Sequence, residues 1–450
     1  MPHAAAKPLI SFPAPALAGS ALIPGDKSIS HRALMLGALA EGCTLVDGLL
    51  EGEDVLRTAE AMRRLGASVS RRPDGVWQLV GRGIGGLQEP DDVLDMGNAG
   101  TGARLLMGLV TPYPITCLFT GDASLRGRPM TRVALPLESM GARFYGRAGG
   151  LLPMAVVGTG SPQSIDYTLP VASAQVKSAI LLAGLNTPGI TTVIEPHATR
   201  DHTEVMLAGF GATLAVETLP GGGRAIHLSG RPRLEGRAIT VPADPSSAAF
   251  PLVAALIVPG SQVVLPGVGV NPLRTGLLQT LDEMGADLTI SGLRQQAGEA
   301  VADLSIRHGP LRAVDVPAER APSMIDEYPI LAVAAAFASG TSRLRGLGEL
   351  RVTESDRLGA MARGLAACGV APVIDGDDLI ITGNGRPPRG EAVIAVNLDH
   401  RIAMAFLVMG MAAQYPIGVD DGAAIDTSFP GFVALMNGLG ACIEAGGRVR

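Results

Sequence analysis

Several stretches of this 450-residue chain gather cations, hydroxyls and glycines where an apolar helical run begins. In Pro24-Gly25-Asp26-Lys27-Ser28-Ile29-Ser30-His31-Arg32, the residues Lys27, Ser28 and Arg32 surround one helix N-terminus. Free N–H groups and the helix dipole favour an anion there, and the two bases add charge. Gly97-Asn98-Ala99-Gly100-Thr101-Gly102-Ala103-Arg104 repeats the idea. Its glycines let a ligand approach the backbone, and Thr101 is placed to cap the helix. The spacing is not that of the G-x-x-x-x-G-K-S/T phosphate loop, so an NTPase is not predicted. Ser173-Ala174-Gln175-Val176-Lys177 opens a third run, with Ser173 and Gln175 as neutral donors for phosphate or hydroxyl groups.

Arginines recur before a second type of helix: Arg126 and Arg128, then Arg200 in Arg200-Asp201-His202-Thr203-Glu204, then Arg274, then Arg357 in Glu354-Ser355-Asp356-Arg357. Arginine suits two-pronged grips on phosphate and carboxylate. A single one is usually a surface ion pair, but recurrence at equivalent points of a repeated unit asks for a ligand. Two carboxylates stand out in the second half. Asp326 precedes a strongly apolar helix, and Glu354 opens the other helix of the same unit. Either alone reads as a helix cap; paired beside cations they suit proton transfer. Asp399-His400-Arg401 adds a further base and a histidine.

Six copies of one pattern must position these groups. An apolar helical stretch ends in Gly, a small residue follows, and a strand-like run begins. The copies are Leu65-Gly66-Ala67, Met140-Gly141-Ala142, Phe210-Gly211-Ala212, Met284-Gly285-Ala286, Cys368-Gly369-Val370 and Leu439-Gly440-Ala441. Their spacing of roughly 70–85 residues exceeds any solenoid unit. Each Gly predicts a left-handed helix stop. A more uniformly apolar helix accompanies each copy: Ile29–Ala40, Ala103–Val110, Ala174–Leu185, Ala248–Val258, Ile330–Phe337 and Ile402–Ala413. Helices apolar all round belong inside, and the amphipathic set, such as Asp54 to Leu65, should cover the outside of a sheet.

The predicted class is therefore α/β, two domains of three βαβαββ units each around buried helices. The expected boundaries are 23–243 and 244–450, with residues 1–22 joining the second domain. Helix starts from both domains are expected to face one cleft, with closure excluding water.

Bulk composition narrows the function. Hydrophobic residues make up 47% and charged residues 17%, which favours a compact globular protein. A net charge of −6 with 3% aromatics argues against nucleic acid. Cys43, Cys117, Cys368 and Cys442 lie far apart, so neither a metal cage nor a disulfide framework is predicted. The N-terminus lacks the pattern of a signal peptide, and apolar stretches such as Leu331–Ala338 are too short to span a bilayer. A cytoplasmic monomer is expected.

These segments resemble the 5-enolpyruvylshikimate-3-phosphate synthase family from about Leu22 to the C-terminus. The matching stretches are Pro24-Gly25-Asp26-Lys27-Ser28, Gly97-Asn98-Ala99-Gly100-Thr101, Arg126-Gly127-Arg128-Pro129, Ser173-Ala174-Gln175, Glu354-Ser355-Asp356-Arg357 and Asp399-His400-Arg401. Ser173 to Lys177 and Arg200 to Glu204 look like the bacterial class II form; Leu273 departs from its Asn-x-Thr-Arg pattern. The resemblance implies the inside-out α/β barrel architecture of enolpyruvyl transferases. It also implies transfer of the enolpyruvyl group of phosphoenolpyruvate to the 5-hydroxyl of shikimate 3-phosphate, without cofactor or metal. It places Lys27, Ser28, Arg32, Ser173, Ala174, Arg200, Asp326 and Thr353 at shikimate 3-phosphate. Lys27, Gly100, Arg128, Gln175, Arg357 and Arg401 fall at phosphoenolpyruvate. Lys27, Asp326 and Glu354 take catalytic roles, with Asp326 receiving the hydroxyl proton.

One departure matters. The family pattern Arg-Val-Lys-Glu-Ser/Thr-Asp-Arg reads Arg351-Val352-Thr353-Glu354-Ser355-Asp356-Arg357 here, so Thr353 removes a cation. The competing reading is thus a catalytically impaired relative that still binds shikimate 3-phosphate. UDP-N-acetylglucosamine enolpyruvyl transferase fits less well, because Ser28 replaces the Asn of its Lys-Asn pair and Gly121–Pro129 has no Cys. Gly100 predicts inhibition by glyphosate in competition with phosphoenolpyruvate.

Overall fold

The computed structural model describes residues 6–352 and 354–446. These residues build six four-stranded sheets and divide into two compact units. The first unit is Gly25–Pro242 with Gln295–Glu299; the second comprises the remaining described residues.

One repeat shows how the pattern becomes structure. Asp166–Thr168 pairs in parallel with Ile190–Glu195, so the chain between them must cross over, and it does so through the Ala174–Gly184 helix. Ile190–Glu195 then pairs antiparallel with Arg224–Ser229, in the register Ile190↔Ser229, and Leu214–Thr218 closes the edge. Buried Val193, Ile226 and Leu228 alternate with more exposed neighbours along these strands. Four of the other sheets follow the same order of one parallel and two antiparallel pairings.

Three sheets borrow a strand from a distant part of the chain. Ala238–Thr240, at the end of the first unit, lies parallel to Cys43–Asp47 in that unit's first sheet. In the second unit, Ala18–Ser20 lies parallel to Gln262–Gly269, and Leu9–Phe12 pairs antiparallel with both Ile417–Val419 and Cys442–Ala445. The N-terminal segment thereby completes two sheets of the second unit.

Each unit has its own apolar core. The helices Lys27–Leu39, Gly100–Val110 and Ala174–Gly184 run through the first, and Pro245–Ile257, Tyr328–Phe337 and His400–Gly410 through the second. Their all-round apolar surface explains their burial. Gly108 lets two of them touch backbone to backbone, since a Cβ there would stand 2.2 Å from the Ala179 carbonyl oxygen.

All six repeated glycines adopt positive φ, from 84° to 112°. A side chain is strained there, so Gly fixes each helix end. The second helix type is amphipathic as predicted: Glu53–Arg64 buries Val55, Ala59 and Met62. It does more than cover a sheet, however. Thr58 on its buried face meets His31 of the first buried helix at 2.8 Å.

Candidate active site

In the first unit, Asp26 caps the opening helix, accepting from the Ile29 amide at 2.9 Å. A carboxylate before the first turn matches the dipole and frees the next two residues from capping. Lys27 leans on Asp54, Nζ to Oδ2 at 2.8 Å. Ser28 is half-buried, and its carbonyl accepts from Arg32 Nη1 at 2.8 Å. Arg32 is buried; Nε donates to Thr203 Oγ1 and Nη2 to Ser178 Oγ, both at 2.7 Å. Burial pulls its pKa down to about 10, with Glu204 the strongest opposing charge and Arg200 adding to the depression. It stays a cation at neutral pH, and Arg200 is close enough for the two positive charges to repel. Such a pair is a place for an anion.

The second and third buried helices meet at their starts. Gln175 accepts from Arg104 Nη1 at 2.9 Å and donates to Thr101 Oγ1 at 3.0 Å. Thr101 therefore does not cap its helix: Ala99 holds the cap position, and the Thr101 hydroxyl is spent on Gln175. Ser173 caps the third helix, accepting from the Val176 amide at 3.4 Å, and Ala174 is its first residue. Arg128 is buried, with Nη2 donating to Asn98 Oδ1 (2.8 Å) and Ser124 Oγ (2.7 Å). Its Nε has no hydrogen-bond partner among the described residues. Gly100 lies beside it, and an added Cβ would stand 3.0 Å from Arg128 Nη1 and 3.2 Å from Arg104 Nη1.

His31 is enclosed behind this surface. Burial, assisted by Lys27 and Arg32, lowers its pKa to about 3. It is therefore a neutral hydrogen-bonding group rather than an acid or base of the reaction.

In the second unit, three carboxylates converge on Arg357. Its Nε donates to Asp399 Oδ2 (2.8 Å), Nη2 to Glu354 Oε2 (2.6 Å) and Nη1 to Asp326 Oδ1 (3.3 Å). Burial alone would weaken the guanidinium's hold on its proton; Asp399, Glu354 and Asp326 more than reverse that, and its pKa rises. Arg401 joins from the next helix, 3.6 Å from Asp326 Oδ1, while its Nη1 donates to the Asp326 carbonyl at 3.3 Å. His400 Nδ1 lies 3.4 Å from Glu354 Oε2. Asp326 and Glu354 are half-buried beside two buried arginines.

Glu354 does not open the helix. Asp356 caps Arg357–Ala367, accepting from the Gly359 amide at 3.1 Å, while the Glu354 carboxylate is turned to Arg357. Thr353 lies outside the described residues. Glu354, Asp399 and His400 bring possible metal ligands within 4.8 Å of one another. Arg357, bonded to both carboxylates, already supplies the positive charge there.

Sequence spacing misses Asp54, Lys177 and the structural part of Asp399. Lys177 leaves a trace, a charge inside the otherwise apolar Ala174–Leu185 run, and a charge so placed needs partners. Asp54 leaves none beyond its place in the first turn of an amphipathic helix.

The fold is that of the enolpyruvyl transferases: the chain superimposes on NikO from Streptomyces tendae with TM-score 0.77 at 18% identity, covering 98% of this chain and 99% of that one. Residues 13–436 match the family described as EPSP synthase (3-phosphoshikimate 1-carboxyvinyltransferase). The chain belongs to that family. A 3-phosphoshikimate 1-carboxyvinyltransferase of Paramagnetospirillum magneticum is 70% identical across 98% of both chains. One from Rhodospirillum rubrum is 62% identical across 97% of this chain and 98% of its own. The solved EPSP synthase of Acinetobacter baumannii is 43% identical with TM-score 0.85, covering 97% of this chain and 99% of that one.

Proposed function

We propose that this protein transfers the enolpyruvyl group of phosphoenolpyruvate to the 5-hydroxyl of shikimate 3-phosphate and releases phosphate. The observation that carries the proposal is the convergence of Asp326 and Glu354 on Arg357, with Arg401 beside Asp326. Two half-buried carboxylates next to two cations suit a reaction that moves protons beside anionic groups. Family membership and the relatives' names give the substrates.

In the first unit, Lys27, Ser28, Arg32, Ser173, Ala174 and Arg200 bind shikimate 3-phosphate, the Arg32–Arg200 pair providing charge for its phosphate. Lys27, Gly100, Arg128 and Gln175 bind phosphoenolpyruvate, the buried Arg128 providing a desolvated guanidinium. In the second unit, Arg357 and Arg401 bind phosphoenolpyruvate. Asp326 takes the proton of the attacking 5-hydroxyl. Glu354 gives a proton to the methylene carbon, making C2 electrophilic. The hydroxyl oxygen then bonds to C2, and the C2–O bond to phosphate breaks as the added proton returns from the new methyl group to Glu354 and the departing phosphate takes the proton held by Asp326.

The chemistry needs no cofactor or metal. We place the enzyme in the cytoplasm as a monomer; no helix among the described residues is long and apolar enough to cross a membrane. The test is phosphate release by the purified protein. Release that requires both substrates is expected. Binding of shikimate 3-phosphate without release would overturn the assignment and favour the impaired relative suggested by Thr353.

A further inference from the structure

We propose that Lys177 is a positioning residue: its buried ammonium group fixes the segment that carries Arg200, and so sets the Arg200–Arg32 cation pair for the phosphate of the acceptor substrate. This deepens the function proposed above and rests on its assignment of Arg32 and Arg200.

Lys177 lies in the second turn of the Ala174–Gly184 helix and is fully buried. Among the described residues, the groups that meet its Nζ come from the stretch 195–204. Glu195 Oε2 stands at 3.0 Å, Glu204 Oε1 at 2.7 Å, and the Thr199 carbonyl accepts at 3.3 Å. Glu195 ends a strand, Glu204 lies in the first turn of the His202–Gly209 helix, and Thr199 sits between them. Glu195 tightens the loop further, because its Oε2 accepts from the Thr199 amide at 3.2 Å and from Thr199 Oγ1 at 2.8 Å. One ammonium group thus ties both ends and the middle of the loop that presents Arg200.

The neighbouring residue completes the link. Ser178 Oγ and Thr203 Oγ1 lie 2.7 Å apart, and Arg32 donates to both. Arg32 and the Arg200 loop are therefore registered on the same turn of one rigid helix. Glu204 links the two bases: it meets Lys177 at 2.7 Å and is the largest charge supporting Arg32. A methionine would fill the same space without the cost of burying charge. Two buried bases and two buried acids make sense where two cations must be held together before an anion arrives.

The experiment measures shikimate 3-phosphate affinity of the full-length protein by calorimetry, together with KM for each substrate. Lys177→Met should weaken shikimate 3-phosphate binding roughly 10–100-fold, as misplacement of a binding group does, while KM for phosphoenolpyruvate stays within about twofold. If Lys177→Met does not fold, the pair Thr199→Val and Thr199→Ser decides, since both leave the buried charges in place. Thr199→Val should weaken shikimate 3-phosphate binding several-fold, and Thr199→Ser, which keeps the hydroxyl, should restore it. Unchanged shikimate 3-phosphate affinity in folded Lys177→Met, or in Thr199→Val, with only a lower melting temperature, would make Lys177 a structural plug and overturn the proposal. The assignment beneath it fails separately, and visibly, if the unmodified protein does not bind shikimate 3-phosphate.

Discussion

Arg357 and Asp399 form a fully enclosed ion pair, Nε to Oδ2 at 2.8 Å, with side-chain exposures of 1% and 0%. The same carboxylate accepts from Ser355 Oγ at 2.7 Å through Oδ2, and from the Arg401 and Ile402 amides through Oδ1. Asp399 therefore caps a buried helix and orients an arginine that grips both Glu354 and Asp326. Asp399→Asn should keep the cap but leave Arg357 short of a counter-charge, costing about 3–5 kcal/mol of stability; urea unfolding measures it.

The same pair sets an acid limit. Burial alone would raise the Asp399 carboxyl, but Arg357 overrides it and holds it below the usual range. The folded state then binds this proton less readily than the unfolded chain. The stabilisation is complete above the unfolded value of about 3.9 and drains away as pH falls through the lower folded value. Below about pH 4, stability of Asp399→Asn should fall less steeply than that of the parent; parallel curves would refute the linkage.

His31 adds a second acid term with a higher onset. Its folded pKa of about 3 lies below the ordinary histidine value of 6.5, so the unfolded chain takes up a proton that the folded protein refuses. Stability is unaffected above pH 6.5 and is lost towards about 3, at up to roughly 1.4 kcal/mol per pH unit. Replacing His31 with Gln should remove that slope between pH 6 and 4, whatever it does to absolute stability. Proton uptake on unfolding, measured against pH, reads it directly.

Gly100→Ala should act on Arg128. The new methyl would press on Arg128 Nη1 and Arg104 Nη1 at 3.0 and 3.2 Å, so those guanidinium groups must give way. Overpacking of this kind costs about 1–3 kcal/mol, and we expect KM for phosphoenolpyruvate to rise about tenfold. The parent should be inhibited by glyphosate in competition with phosphoenolpyruvate, and the variant less so. Equal inhibition of both proteins would contradict a role for Gly100 in that pocket.

Gly108→Ala tests the fold rather than the site. No flexible side chain is available to yield, because the obstacle is the Ala179 backbone, with its carbonyl oxygen at 2.2 Å. The two buried helices would have to separate. A loss of about 1–3 kcal/mol is expected in thermal or urea unfolding, with the larger value if separation moves Gln175 off Thr101.

The sequence by itself determined the repeat, the helix stops and the class of residue at each helix start. These are local properties. A left-handed stop needs Gly66 or Gly141 whatever lies around it, and an all-round apolar run such as Tyr328–Phe337 must be buried somewhere. Tertiary structure decided which group each charge answers to. Thr101 was free to cap until Gln175 arrived from a helix more than seventy residues away. Asp26 holds the opening cap because its carboxylate reaches the Ile29 amide. Borrowed strands such as Leu9–Phe12 have no local signature, since pairing partners more than four hundred residues apart are chosen by sheet closure alone. Lys177 shows the limit most clearly: its charge was visible in an apolar run, but its partners are gathered only when the 195–204 stretch folds over that helix. Burial makes such pairing obligatory, and only the folded chain specifies with whom.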